Sequence, residues 1–231
     1  QRAEIYAFRN DVLHAENSLK VAEEVLESLC LQMAQKYFVS RTIQGGWNPE
    51  EFRQWLMTHF PLTFDAAEFD NDYLQLVDIE TKAIEKVIVA LRHKIAHEEQ
   101  MIEEIQKAAL ENSPKLDVLD AKGILSEVVR NILIRSIDRM WQEHLLNIDH
   151  LRTEVHLRVV GQKDPLLEFK HEAFILFDEF SAKLKIEIAH ALFKFKMMMP
   201  QEVQPVQKEP ETIEFRTNLS LMPELEAKQE I

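Results

Sequence analysis

Glycine is nearly absent: the chain of 231 residues holds four, at Gly45, Gly46, Gly123 and Gly161. A loop that wraps phosphates closely needs two or three glycines clustered just ahead of a helix, in the spacing GxxxxGK[ST] or GxGxxG. No such cluster exists here, which excludes a self-contained nucleotide-binding domain. Cysteine occurs once, at Cys30, which excludes a disulfide framework, a cysteine-based zinc ribbon and a CxxC redox pair. Within Glu27-Ser28-Leu29-Cys30-Leu31 that thiol reads as a small buried apolar residue rather than a nucleophile. Long apolar runs are missing too. Ala173-Phe174-Ile175-Leu176-Phe177 falls far short of the ~20 residues of a membrane span. The start shows no initiator Met and no charged-then-apolar leader, and it opens inside a helical pattern, so a segment of a longer chain is expected. Positive charge is in deficit, with 27 Lys+Arg against 40 Asp+Glu and a net −13, which argues against a nucleic-acid partner.

What is present is helical periodicity. Ile5, Phe8, Val12, Ala15, Leu19, Ala22, Leu26, Leu29 and Met33 step by threes and fours, with no Gly or Pro between them. This seam predicts one long helix over about 2–36, roughly 50 Å at ~1.5 Å per residue, which needs a partner along its length. Gly45-Gly46-Trp47-Asn48-Pro49 then stops and restarts the chain, with Asn48 suited to a cap and Pro49 to the first helical position. A short helix carries Phe52, Trp55 and Leu56, followed by a loop around Pro61. Asp70-Asn71-Asp72 can cap a further helix with Leu76, Ile84, Val87, Leu91, Ile95, Ile102 and Ile105, and Ser113-Pro114 opens a new start. Residues 37–122 thus read as a smaller helical insert, with 9 basic and 16 acidic groups.

From Ile124 the long pattern resumes through Ile134, Ile137, Trp141, His144, Ile148, Leu151 and Val155. It breaks at Arg158 to Pro165, where Gly161 permits a turn and Asp164-Pro165 supplies a cap and an N1 proline. Phe169, Ala173, Leu176, Phe180, Leu184, Ile188, Ala191 and Phe195 then predict a helix ending near Pro200. Two long amphipathic helices around a short turn make an antiparallel hairpin over 123–200, neutral with 11 basic and 11 acidic groups. Residues 201–231, rich in Pro, Glu and Gln, read as a disordered or extended tail. The expected fold is all-α: a long-helix scaffold with an antiparallel two-helix finger and an inserted smaller helical wing.

Candidate chemistry is thin. Glu168/His171 and Glu187/His190 have the Glu-x-x-His spacing of di-iron bundles, yet they lie on one predicted helix roughly 28 Å apart at 1.5 Å per residue, and about 100° apart around it. His93 and His97 share the i, i+4 spacing of a zincin helix, but Lys94 stands where the general-base Glu belongs. His144 falls on the apolar seam beside Trp141 and reads as a core histidine satisfied by one hydrogen bond. Lys196 with Met197-Met198-Met199 reads as a helix end packing its last turn. No metal or cofactor is expected in the segment, and no catalytic residue stands out.

The stretch Asp138-Arg139-Met140-Trp141-Gln142-Glu143-His144-Leu145-Leu146-Asn147-Ile148-Asp149-His150-Leu151-Arg152 is too idiosyncratic for a generic helix. With His156-Leu157-Arg158, Gln162-Lys163-Asp164-Pro165 and Glu168-Phe169-Lys170-His171-Glu172-Ala173-Phe174, it resembles the C-terminal part of the SecA family of preprotein translocase motors. Ile5-Tyr6, Arg9-Asn10, Met199-Pro200 and Glu202-Val203 extend the likeness to both ends. The resemblance implies a helical scaffold over 1–36 and 123–200, a helical wing over 37–122, and a two-helix finger whose tip is Arg158, Val159, Val160, Gly161, Gln162 and Lys163. It implies that Asp138, Trp141, His144, Asp149 and Arg152 serve the scaffold core or its contact with a motor. It implies as partners the SecYEG channel, an unfolded preprotein and upstream ATPase domains that hold ATP and Mg, and a cytoplasmic location, peripheral at the inner membrane. At the tip, Val159 and Val160 stand where the family usually has Gly and Tyr, so that aromatic ring is absent. The zinc-binding Cys/His motif common at the family's C-terminus has no counterpart in 201–231, which lacks cysteine. An exposed seam would also suit a homodimer. Two other classes stand beside this one: a free-standing helical scaffold, distinguished by an upstream sequence without Walker motifs, and a di-iron bundle enzyme, distinguished by stoichiometric iron.

Overall fold

One apolar seam runs from Ile5 to Met33, yet two helices share it, α1 (Arg2–His14) and α2 (Ser18–Gln44). The computed structural model describes residues 1–44, 49–69, 75–112, 120–157 and 164–198, and places the break at Ala15, whose backbone is extended at φ −61°, ψ 126°. The single helix expected over 2–36 is therefore corrected, and the cause is polar. Asn17 Oδ1 accepts from the backbone N–H of Leu19 at 3.1 Å and of Lys20 at 3.2 Å, capping α2 before α1 can continue into it. Ser18 Oγ donates to the Ser126 carbonyl at 2.5 Å, and Arg130 donates to the Ala15 carbonyl at 2.7 Å. Both sides of the break are thus tied to α5 (Ala121–Leu157).

The other elements are α3 (Pro49–His59), a 3-10 turn at Ala66–Glu68, α4 (Leu76–Asn112) and α6 (Pro165–Lys194). Every described regular element is helical, so the fold is all-α. Starts follow the local chemistry. Asp78 reaches back to the Gln75 N–H at 2.9 Å to open α4. The Asp120 carboxylate accepts from Lys122 and Gly123 N–H at 3.2 and 3.0 Å to open α5, and a Cβ on Gly123 would stand 3.0 Å from that same oxygen. Asp164 caps α6 through Leu166 N–H at 2.9 Å, with Pro165 in the first turn as expected. The expected caps at Asn48 and Asp70 to Asp72, and the start at Ser113-Pro114, lie outside the described residues.

Residues Gln1–Met198 form one compact unit. Its centre is the antiparallel pair α5 and α6, over which α1 and α2 are laid. The stripe of α5 that faces this core is Val129, Leu133, Ile137 and Trp141, stepping in fours, with Leu125 one turn earlier in a separate small cluster, and the expected seam residue Ile134 is only half-buried on its flank. The seam of α2 does not serve the hairpin alone. It also packs along α4, whose Ile79, Ala83, Val87 and Leu91 form a stripe needing a partner, and Arg92 of α4 forks onto Glu23 of α2 at 2.7 and 2.9 Å. Around α3 the core is aromatic, with Phe52 edge-on to Phe69 at 5.6 Å and Phe60 edge-on to Phe193 of α6 at 5.9 Å. α6 stops at Lys194 rather than near Pro200, because Phe195 is extended (φ −61°, ψ 145°).

Candidate functional site midway along the hairpin

Three of the five scaffold candidates meet where α1 crosses α5 and α6. Asp138 of α5 takes the guanidinium of Arg9 in a two-pronged grip, Nε to Oδ1 at 2.7 Å and Nη2 to Oδ2 at 3.1 Å. That grip holds the Arg9 pKa above its ordinary value, through the hydrogen bond first and the charge second. One turn along, Trp141 is buried and packs edge-on against Phe180 of α6 at 5.8 Å. One turn further, His144 is 2% exposed, with its ring 4.7 Å from that of Phe180 and 5.7 Å from that of Phe177. Its Nε2 lies 3.4 Å from Gln1 Oε1, an acceptor, which calls for the Nε2–H tautomer. The same Gln1 amide donates to the Ala173 carbonyl of α6 at 3.0 Å. Burial pushes the His144 pKa down, so the ring is neutral near pH 7.

Asp149 and Arg152 lie farther along α5 and are exposed, so the structure does not bring them to this cluster. The tip candidates Arg158, Val159, Val160, Gly161, Gln162 and Lys163 lie outside the described residues. Of the metal-like spacings, His93 and His97 are exposed on α4. Glu187 pairs with Arg139 of α5, and His190 stacks on His59 of α3 at 5.3 Å. These groups hold helices together. Cys30 is fully buried, and burial pushes its thiol up to about 12, far from a nucleophile's range.

The spacing arguments missed several polar ties. Lys185 of α6, half-buried at the edge of a groove of about 370 Å³ between α1, α2 and α6, donates to Ser28 Oγ at 2.9 Å and Gln32 Oε1 at 3.0 Å. Burial lowers its pKa. The second missed tie is Glu98, 2% exposed on α4 and paired with Lys94. Burial alone would raise its pKa, but hydrogen bonds from Lys94 and from the Met197 N–H outweigh that and hold it below the usual carboxylate value. A signal for Glu98 was in the sequence, since Leu91, Ile95, Glu98 and Ile102 share one seam and a charge on such a seam must be paired.

Comparison with known proteins gives this geometry a family. The family model described as the SecA Wing and Scaffold domain matches residues 1–196. This chain belongs to that family. Among similar curated proteins, the protein translocase subunit SecA of Chlamydia pneumoniae is 39% identical over 198 residues, covering 85% of this chain and 19% of its own length. That of Chlamydia abortus is 37% identical over 206 residues, covering 89% of this chain and 20% of its own. That of Chlamydia trachomatis serovar D is 34% identical over 213 residues, again 89% and 20%. The chain therefore spans about a fifth of the length of the curated relatives it matches. The SecA wing-and-scaffold match ends at Lys196, two residues short of the end of the compact unit. None of the described helices is long and apolar enough to cross a membrane.

Proposed function

We propose that this chain is the non-catalytic mechanical segment of a SecA-type protein-export motor. It couples ATP turnover in motor domains elsewhere in such a protein to movement of an unfolded preprotein through the SecYEG channel. The observation that carries this is the joint midway along the hairpin. The Arg9–Asp138 fork ties α1 to α5, the Gln1 amide just ahead of α1 reaches His144 of α5 and the Ala173 carbonyl of α6, and the Trp141–Phe180–His144 cluster joins the two arms, so a push on α1 is delivered to α5 and α6 together. A part that transmits force needs such cross-bracing, and a part that binds a small molecule does not. ATP and Mg belong, in this proposal, to the motor domains, and the segment itself takes no cofactor. Its partners are the ATPase domains, the channel and the preprotein, and it works in the cytoplasm, peripherally attached to the inner membrane through the channel. The −13 charge gives no purchase on nucleic acid.

The test places a photo-cross-linker at Val160 in the intact motor engaged with channel and preprotein. Capture of channel or preprotein from that position is expected. Capture only from positions on α4, with none from Val160, would overturn the assignment of the tip.

A further inference from the structure

The end of α6 has no local reason to be where it is. Phe193-Lys194-Phe195-Lys196-Met197-Met198-Met199 contains no Gly, Asn, Ser or Asp, and Lys and Met are good helix formers; Pro200 is the first breaker. Helices that stop without such a residue are stopped by something outside themselves. Here that something is an i, i+4 pair on α4. Lys94 Nζ donates to the Phe195 carbonyl at 2.5 Å, and Glu98 accepts from the Met197 N–H at 2.6 Å, while the two side chains pair with each other. One ion pair thereby grips the carbonyl of one residue and the N–H of the residue two places on. That spacing fits an extended peptide. In a helix that N–H would instead be turned back to the carbonyl four residues earlier.

The segment behaves as a short strand. Phe195 and Met197 point inward against Ile95, Ile102, Ala121 and Leu125, whereas Lys196 and Met198 face solvent. The Lys94 ammonium also lies 4.9 Å from the centre of the Phe195 ring. Both charged groups are largely shielded, with side-chain exposures of 16% and 3%. A buried pair of this kind gains little net stability over apolar packing, and its best-attested use is to select one arrangement over another.

We propose that the Lys94–Glu98 pair is a backbone clasp that holds residues 195–198 extended, and that this segment has a second state in which α6 continues by one more turn. The segment's own propensity favours helix, while the clasp and the small apolar cluster favour the extended form. Which one is populated depends on whether α4 lies against the end of α6. A shift of α4 away from α6 opens the clasp, adds about 5.4 Å to the helix and moves the point from which the chain beyond Met198 departs. Position of the α4 helix and length of the α6 helix are therefore coupled.

The experiment uses the whole chain, with Lys94→Met and Glu98→Leu combined so that neither the donor to the Phe195 carbonyl nor the acceptor of the Met197 N–H remains, and reads backbone Cα chemical shifts at residues 195–198. In the unaltered protein these shifts are expected on the extended side. The double variant is expected to move them to the helical side, with shifts in the middle of α5 and α6, away from Ala121, Leu125 and the end of α6, unchanged. Adding Lys196→Pro, which disfavours helix at Phe195 and leaves the Met197 N–H in place, is expected to return them to the extended side. Shifts in the double variant that stay extended, or that collapse to coil values, would overturn the proposal. Should the double variant fail to fold, Glu98→Leu alone, which removes the acceptor of the Met197 N–H, is read in the same way against the same two outcomes.

Discussion

The base and the far end of the α5–α6 hairpin are built from similar residues and meet different surroundings. At the base, Leu133, Ile137, Trp141, Phe180 and Ile188 belong to the main core and are covered by α1 and α2. Toward the far end, Leu151, Val155 and Ala173 form a small core of their own, supplied only by the two helices. Two helices can bury one stripe each, and the far end carries more apolar residues than one stripe holds. Leu167 is 66% exposed and Phe174 70% exposed, with Leu166 and Ile175 beside them. These exposed apolar side chains lie in two pairs on α6, separated by the exposed Lys170 and His171. The comparison teaches that helical spacing announces an apolar face without announcing what covers it. It also predicts a gradient of stability along the hairpin, with the braced base high and the arm low.

The largest expected effect breaks that gradient directly. Trp141→Ala empties a position packed on all sides and should cost ~3 kcal/mol or more, whereas Leu151→Ala, in a core that two helices can close by shifting, should cost about 2 kcal/mol. Urea melts of the two variants check this, and equal costs would mean that the base is no better braced than the arm.

A smaller effect separates the two regions by pH. The folded pKa of His144 is depressed below the ordinary 6.5 because the ring is buried. As pH falls through 6.5 the unfolded chain takes up a proton that the folded chain refuses, so stability is full above that value and lost below it. Burial depresses His190 in the same sense. The urea midpoint is therefore expected to fall between pH 7 and 5, and His144→Leu to flatten part of that slope. An unchanged slope in the variant would remove His144 from the pH response.

The smallest effect is at the arm. Phe174→Ser, on a side chain that faces solvent, should change folding stability by no more than about 0.5 kcal/mol. A cost like that of Leu151→Ala would show that Phe174 is covered within the chain itself and that the far end is not an open surface.

Much of the fold was legible in the residue pattern. The starts of α3 at Pro49 and α6 at Asp164-Pro165 follow from rules of one or two residues, and the antiparallel hairpin follows from two long periodic stretches around one turn. The break at Ala15 was legible only in part. Asn17 is a local cap signal, but the ties of Ala15 and Ser18 reach Arg130 and Ser126, more than a hundred residues away in sequence. The early stop of α6 is illegible for the same reason, since its cause lies on α4. Of the scaffold candidates, Trp141 and His144 were visible as seam positions, and Asp138 came from resemblance alone. Its partner Arg9 could not be paired with it by spacing.

Residue pattern alone shows that this chain is helical, that it carries no glycine-rich phosphate-binding motif, and that its helices have apolar faces in need of cover. Those follow from glycine scarcity and periodicity, which are local properties of the chain. Which faces meet, where α6 is cut short, and that a lysine–glutamate pair on α4 reads the backbone beyond α6 are settled by contacts between distant segments. Hydrogen bonds and ion pairs between distant segments depend on angstrom-scale placement, and periodicity carries no information about that.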